Sequence, residues 1–452
     1  MTRFLDVRDR RITRSLSTCA DSADEDLMDA YPHGDIARFQ HDRFGLFIHW
    51  GIYALVGINE WCLLRERIPD ADYRFLIDHF DPDLFAPAAW AKAARLAGMK
   101  YVVFTTKHHD GFCMWDTACS DHQVTRSPVG RDLLREVVDA FRAEGLRIGL
   151  YYSISDWHHP DFLIDESHAL GHLPAAEITR LNAGRDMHRY AAYMRDQMRE
   201  LLTGYGEISE LWFDVSGRID KDLCESAEMV RMVRALQPQI ILNDRLQIPE
   251  SADILTPEGY VRYEGCVDAQ GHPVAWENSL CLGAAWGHNR DEKSYFKSAF
   301  RFLEVLISNT GLGGNTLYNV GPTSRGEIAG RELGILGFIA QWMHHHARSI
   351  HGCGAPPAGF PPPPRDCRYT YDATSNRLYL HLIRWGEGNL LLPGMAGRIR
   401  HAQLLSDGTR FVIREHLATT ELNPRFPPGA VSLTLMSAPN DIAIPVIELL
   451  LI

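Results

Sequence analysis

KYVVFTTKHHDGFCMWDT, residues 100–117, decides how the chain is read. It opens as an unbroken apolar run and ends in Lys107, His108, His109 and Asp110. Continuous apolarity, without polar alternation, suits a strand covered on both faces, as in a parallel sheet. The same pattern recurs in FGLFIHWG (44–51), RIGLYYSISDW (147–157), ELWFDV (210–215), IILNDR (240–245), ADILTPE (252–258) and NTLYNVGP (315–322). Each run breaks into polar or reactive residues at its carboxyl end.

Helical patterns fall between most of these runs. PAAWAKAARLAG (87–98) begins with proline in a tolerated first-turn position and stops at glycine. RDLLREVVDAFRAEG (131–145) sets Leu134, Val137, Val138 and Phe141 on one face and ends at Gly145. Residues 186–203, 222–236 and 293–308 read similarly. Strand–helix alternation predicts an α/β fold, a (β/α)8-like barrel with room for irregularity. A doubly wound open sheet is the alternative, but no glycine-rich dinucleotide or phosphate loop supports it.

The composition changes at residues 352–365, where six prolines fall within 356–364. Proline cannot continue a helix, so this segment reads as a stiff linker. Beyond it, RYTYDA, RLYLHLI, AQLLSD, VSLTLM and IPVIELLLI read as short strands of a C-terminal β-sandwich. The expected organisation is an N-terminal extension (1–32), a barrel (33–351), a linker (352–365) and a sandwich (366–452).

The net charge of −12 argues against a broad basic surface for nucleic acid. No apolar run is long enough to span a membrane, and the first 30 residues lack a signal-peptide core. Nine widely spaced cysteines, with no CxxC pair, read as reduced thiols. Together these features predict a cytoplasmic protein, with homo-oligomerisation left open.

In a parallel barrel the carboxyl ends of the strands converge on one face, where active sites are built. His49, His108, His109, Tyr151, Asp214, Arg245 and Glu258 all fall at such ends. Each has a plainer reading. His49 also suits a hydrogen-bonded core histidine. Adjacent strand residues face opposite sides, so one of His108 and His109 reads as structural. Asp244 and Arg245 could form a simple salt bridge, and Glu258 could be surface decoration. Asp214 is harder to dismiss, because a carboxylate ending an apolar run needs a partner or a task. His158–His159 and His344–His346 carry less weight; the triple histidine reads as a helix end. No HxH or HExxH spacing points to zinc, and no GxSxG to a serine nucleophile. Carboxylates, histidines, arginine and aromatics together suit a sugar, and two carboxylates can cleave a glycosidic bond.

RFGLFIHWGIYAL, NEW, KYVVFTTKHHDGFCMWDT, GLYYSISDW, ELWFDV, ILNDR, TPE, WEN, WGHNR and GGNTLYNVGP, in that order, resemble the α-L-fucosidases of glycoside hydrolase family 29. The resemblance runs from about residue 38 to 328. It implies a nucleophile at Asp214 and an acid/base at Glu258, 44 residues later. Glu264 and Glu277 compete for the second role. It further implies a fucose pocket formed by His49, Glu60, Trp61, His108, His109, Tyr151, Trp212, Arg245 and Trp286. Lys107 and Asp110 are expected to orient the paired histidines. The chain departs from the family at Asn278, His288, Thr316 and Tyr318, changes expected to bear on leaving-group choice.

The resemblance implies a retaining enzyme that releases α-L-fucose from oligosaccharides or glycoconjugates, without metal or organic cofactor. Two rivals stand beside it. One is a catalytically inactive sugar-binding protein on the same scaffold. The other is a metal-dependent hydrolase using His108, His109 and Asp214.

Overall fold

The computed structural model describes residues 33–215, 220–258, 262, 264–268, 270–291, 297–386, 388–417, 427–439 and 442–452. The expected extension 1–32 lies outside the described residues.

Seven strands form the first sheet: β1 (Phe44–Ile48), β2 (Tyr101–Lys107), β3 (Arg147–Ser153), β4 (Glu210–Asp214), β5 (Ile241–Leu242), β6 (Glu277–Leu280) and β7 (Asn315–Val320). Their spatial order is β5-β4-β3-β2-β1-β7-β6, with every pairing parallel. Segment 254–258 spans the two edges. Asn243 bridges Ile254, Leu255 bridges Trp276, and Glu258 bridges Ser279. The sheet thus curls into an irregular (β/α)8-like barrel whose eighth stave is held by single bridges instead of a regular ladder.

The helical readings hold with trimmed ends. Helix Pro87–Leu96 starts at its proline, and helix Leu133–Ala143 is capped by the Asp132 side chain accepting from the Arg135 N–H. Gly98 and Gly145 take positive φ (83° and 76°) just beyond these helices, as the reversal there requires. The helix read at 293–308 is described as Ala299–Gly311, with Ser298 as its cap. Sequence reading missed β6, because Glu277 and Asn278 interrupt the apolar run used to find strands. Both are buried.

Seven antiparallel strands follow: β8 (Cys367–Asp372), β9 (Arg377–Leu382), β10 (Gly388–Leu392), β11 (Ile399–Leu404), β12 (Ile413–His416), β13 (Ala430–Leu435) and β14 (Val446–Leu451). They form sheets of order β11-β14-β9-β8 and β10-β13-β12 around a core that includes Leu378, Leu380, Leu392, Val431 and Leu449. Burying each such side chain contributes about 1.5–3 kcal/mol. The proline-rich segment is tied at its start. Gly354 and Tyr371 exchange backbone hydrogen bonds of 2.8 and 2.9 Å, and Arg43 Nε donates to the Cys353 carbonyl at 2.6 Å. The histidine run 344–346 ends helix Gly330–His346, with His346 Nδ1 bonded to the Trp342 carbonyl. None of the eight cysteines among the described residues is in a disulfide.

Candidate active site

Strand alternation sorts β4 into two faces. Leu211 and Phe213 join the cluster shared with the helices, while Trp212 joins the barrel-interior cluster. Glu210, Trp212 and Asp214 therefore rise in one inward column, with Asp214 at the carboxyl end. Its Oδ2 accepts from the Tyr151 hydroxyl at 2.7 Å. Its Oδ1 accepts from Arg245 Nη1 and from the Val215 N–H, both at 2.9 Å.

Arg245 sits in the short helical turn Asp244–Leu246 after β5. Its other terminal nitrogen donates to Glu258 Oε1, so one guanidinium spans both carboxylates. Contacts with Thr256 Oγ1 and the Thr256 carbonyl, each at 3.2 Å, fix the fork. The guanidinium also lies 5.0 Å from the Trp212 ring centroid.

Burial raises the pKa of Asp214, while Arg245, Tyr151 and the Val215 N–H counter it. Glu258 lines the cleft with 41% of its side chain open to solvent. Partial desolvation raises its pKa; Arg245 opposes that rise and the Asp214 charge adds to it. Asp214 thus has three donors on its anion, while Glu258 has one donor and a negative neighbour. That difference favours Asp214 as the anion and Glu258 as the proton carrier.

The histidines are neutral. Burial pushes His49 down to about 3, and also His109, which the nearby Lys107 and Arg245 charges depress further. His108 is likewise pushed well below its usual value by burial. Their partners select tautomers. Asn319 Nδ2 donates to the Trp286 carbonyl at 2.7 Å, leaving its Oδ1 to accept from His49 Nδ1 at 2.6 Å. The Ser153 hydroxyl donates to the Ser155 carbonyl, so its oxygen accepts from His109 Nδ1, also at 2.6 Å. Both rings therefore carry a bare Nε2. That of His109 lies 3.7 Å from Asp214 Oδ2.

His49, Trp61, His108, His109, Tyr151, Trp212, Asp214, Arg245, Glu258 and Trp286 line one cleft of about 160 Å³, with Phe47, Val215 and Ser279. Glu60 stands behind this wall. Its Oε2 accepts from the backbone N–H groups of Trp286 (3.0 Å) and Gly287 (2.8 Å), holding the loop that carries Trp286. Glu264 is exposed, and Glu277 is buried below the cleft.

Three sequence expectations need correction. β2 ends at Lys107, so His108 and His109 lie beyond the strand and its alternation does not separate them; both face the cleft. Lys107 and Asp110 do not bond to these histidines. Lys107 Nζ donates to Asp156 Oδ2 at 2.8 Å, and Asp110 accepts from the Tyr73 hydroxyl at 2.7 Å. Finally, Thr316 and Tyr318 face the helices, not the cleft. Thr316 Oγ1 accepts from Asn309, and Tyr318 packs edge-on to Phe302 at 4.4 Å. Asn278 falls between inward Glu277 and Ser279, so it too points away from the leaving group. Asn319, Ser153 and Phe47 were missed as site residues. Strand parity with inward neighbours was the signal available for Asn319 and Phe47.

Among the described residues, no group of three or more His, Cys, Asp or Glu side chains could hold a metal ion. No described helix is long and apolar enough to cross a membrane.

Two carboxylates at the carboxyl end of a parallel barrel, in a cleft with neutral histidines and aromatic walls, define a barrel glycosidase. The α-L-fucosidase family matches residues 23–348. The α-L-fucosidase isoenzyme 1 of Paenibacillus thiaminolyticus is 40% identical, covers 92% of this chain and 98% of its own, and superimposes with a TM-score of 0.84. An α-L-fucosidase from Vibrio sp. strain EJY3 is 26% identical, covering 94% of this chain and 74% of its own, with a TM-score of 0.79. The rat tissue α-L-fucosidase is 26% identical over 419 residues, 86% of each chain. The chain belongs to the α-L-fucosidase family.

Proposed function

We propose that the protein hydrolyses terminal α-L-fucosides with retained anomeric configuration, using Asp214 as nucleophile and Glu258 as acid/base. The observation that carries the assignment is Arg245, which bonds to both carboxylates at once. A single guanidinium between them favours the separation of about 5–5.5 Å of retaining enzymes over the about 6.5–9.5 Å that admits a water in inverting ones.

Asp214, held ionised by its three donors, attacks the anomeric carbon. Glu258 gives its proton to the departing oxygen, and the C–O bond breaks as the fucosyl ester forms. Glu258, now a carboxylate, takes a proton from water. That water attacks the anomeric carbon, releasing L-fucose and restoring the Asp214 carboxylate. His49 and His109, with their bare Nε2 atoms, accept hydrogen bonds from fucose hydroxyls. Trp61 and Trp286 cover apolar faces of the sugar, including its methyl group.

The test is turnover of an aryl α-L-fucoside by Asp214→Ala and Glu258→Ala. The nucleophile variant should lose about 10³-fold or more in kcat. Azide should rescue Asp214→Ala as a β-fucosyl azide and Glu258→Ala as an α-fucosyl azide. Normal turnover by Asp214→Ala would end the assignment.

A further inference from the structure

Glu277 lies directly beneath the cleft, and no step above uses it. It is fully buried, as are Glu210 and Tyr101 around it. Its Oε1 accepts from the Tyr101 hydroxyl, and its Oε2 accepts from Trp212 Nε1 at 3.2 Å. Asn315 Nδ2 donates to the same Tyr101 oxygen at 3.2 Å. Glu210, the base of the inward column on β4, is buried within electrostatic reach of Glu277, and neither of its carboxyl oxygens has a hydrogen-bond partner among the described residues. Two buried carboxyls this close cannot both ionise without great cost, and Glu210, which has no donor, is the one that keeps its proton while Glu277 accepts from Tyr101 and Trp212. Burial raises the pKa of each.

The surroundings are shaped for this cluster. A Cβ on Gly45 would come within 2.4 Å of the Tyr101 ring, so glycine opens the space through which that ring reaches Glu277. Above the cluster, Trp212 stacks near Tyr151, with centroids 6.0 Å apart and planes 21° apart. The other side of the contact network holds Arg245, 5.0 Å from the Trp212 ring. The two side chains that donate to Asp214, through the Tyr151 hydroxyl and the Arg245 guanidinium, thus both rest on Trp212. The indole has a single N–H, and Glu277 takes it.

We propose that Glu277 is a positioning residue: held by the Tyr101 hydroxyl, it locks the Trp212 indole as the platform for Tyr151 and Arg245, and so sets the Asp214–Glu258 spacing. This rests on the assignment of those two carboxylates, and it removes Glu277 from contention as the acid/base. Glu277 does not touch the sugar, so its loss should lower kcat more than it changes KM.

The experiment compares Glu277→Ala, Glu277→Gln, Trp212→Phe and Glu258→Ala. Each is assayed on aryl fucosides with good and poor leaving groups, with and without azide, after circular dichroism has verified folding. Glu277→Gln keeps one acceptor for the indole and turns its amide N–H toward the Tyr101 oxygen, which can accept. It should retain activity within about tenfold of the parent, while Glu277→Ala should fall about 100-fold in kcat with KM within about threefold. The fall should be equal for both leaving groups and untouched by azide. Trp212→Phe should make the further substitution Glu277→Ala nearly silent, because the shared N–H is already gone.

Azide rescue of Glu277→Ala, with loss confined to poor leaving groups, would make Glu277 the acid/base and overturn both this proposal and the Glu258 assignment. Near-normal kcat in Glu277→Ala, with Glu258→Ala still rescued by azide, would overturn positioning alone. If Glu277→Ala does not fold, Trp212→Phe, which removes the same N–H, should lower kcat with KM held, and an unchanged kcat in that folded variant would likewise refute the coupling.

Discussion

Arg245→Met removes a cation that touches both proposed catalytic carboxylates while keeping an apolar side chain against Trp212. Arg245 makes one hydrogen bond to Asp214 and one to Glu258. Charge-assisted hydrogen bonds contribute about 1.5–3 kcal/mol each. They share one guanidinium, so they are coupled, and about 3 kcal/mol for the pair is the sounder figure than a full sum. At about 1.36 kcal/mol per decade, the loss is about 150-fold in kcat/KM. The pH profile should move in a defined direction. Arg245 lowers the pKa of both carboxyls, so both rise when it is removed. The rising limb follows ionisation of Asp214 and the falling limb follows deprotonation of Glu258. Both limbs should therefore shift to higher pH, beneath a lower maximum. The assay is initial-rate hydrolysis of an aryl α-L-fucoside across pH, alongside thermal melting to verify folding. Activity within threefold of the parent, or limbs moving to lower pH, would refute the reasoning.

Asp156→Ala should destabilise the barrel severely. Lys107 Nζ and Asp156 form a pair at 2.8 Å whose side chains are 0% and 1% exposed. Stranding the lysine charge costs about 3–5 kcal/mol, read as a lowered midpoint in denaturant melts; an unchanged midpoint would contradict the pairing. Acid should destabilise the protein through its buried histidines. His49, His109 and His381 are held near about 3 by burial, below their unfolded value. Their folded pKa is depressed, so the unfolded chain binds more protons as pH falls below about 6.5, and each such group costs about 1.4 kcal/mol per pH unit in that window. Melting temperatures measured from pH 7 to pH 5 should fall steadily, and a flat profile would count against neutral burial. Asn319→Ala should release the His49 tautomer and raise KM about tenfold, roughly one lost hydrogen bond. An unchanged KM would show that the ring is oriented by packing alone.

The barrel was legible because parallel strands buried on both faces leave apolar runs, and because each run ended in reactive residues. Where the chain spends buried polar groups inside a strand, that signal fails. β6 carries Glu277, Asn278 and Ser279, all fully buried, and was visible only as a sequence motif. The stretch 252–258 failed in the opposite way. It reads as a strand but makes single bridges, since Pro257 has no N–H to offer a ladder. Two sandwich strands, β10 and β12, also went unread. β12 has exposed Arg414 and Glu415 at its centre, and β10 offers only three leucines after exposed Gly388 and Asn389, too short a run to stand out. Within the site, the residues themselves could be read from the strand ends and the family resemblance. Their supporting contacts could not, because Ser153 holding His109, or Asn319 holding His49, depends on where strands stop and how loops return.

The charge distribution explains why one arginine should span both carboxylates. In the proposed mechanism Glu258 carries its proton before reaction and Asp214 is the anion, so Arg245 faces one negative charge. When the fucosyl ester forms, Asp214 loses its charge to the new bond, and Glu258 loses its proton to the departing oxygen. Arg245 still faces one negative charge, now on the other arm of its fork. The second half-reaction reverses the exchange. A buried cation left without a counterion at any stage would add several kcal/mol to that stage. Here the negative charge crosses the guanidinium while the guanidinium stays fixed by Thr256 and Trp212. The histidines fit the same scheme. Held neutral by burial, they offer acceptors to sugar hydroxyls without adding a positive charge that would compete with Arg245 for Asp214. Lysine in place of Arg245 could neutralise one carboxylate at a time but could not bridge both with fixed geometry, so the exchange requires a planar fork as well as a positive charge.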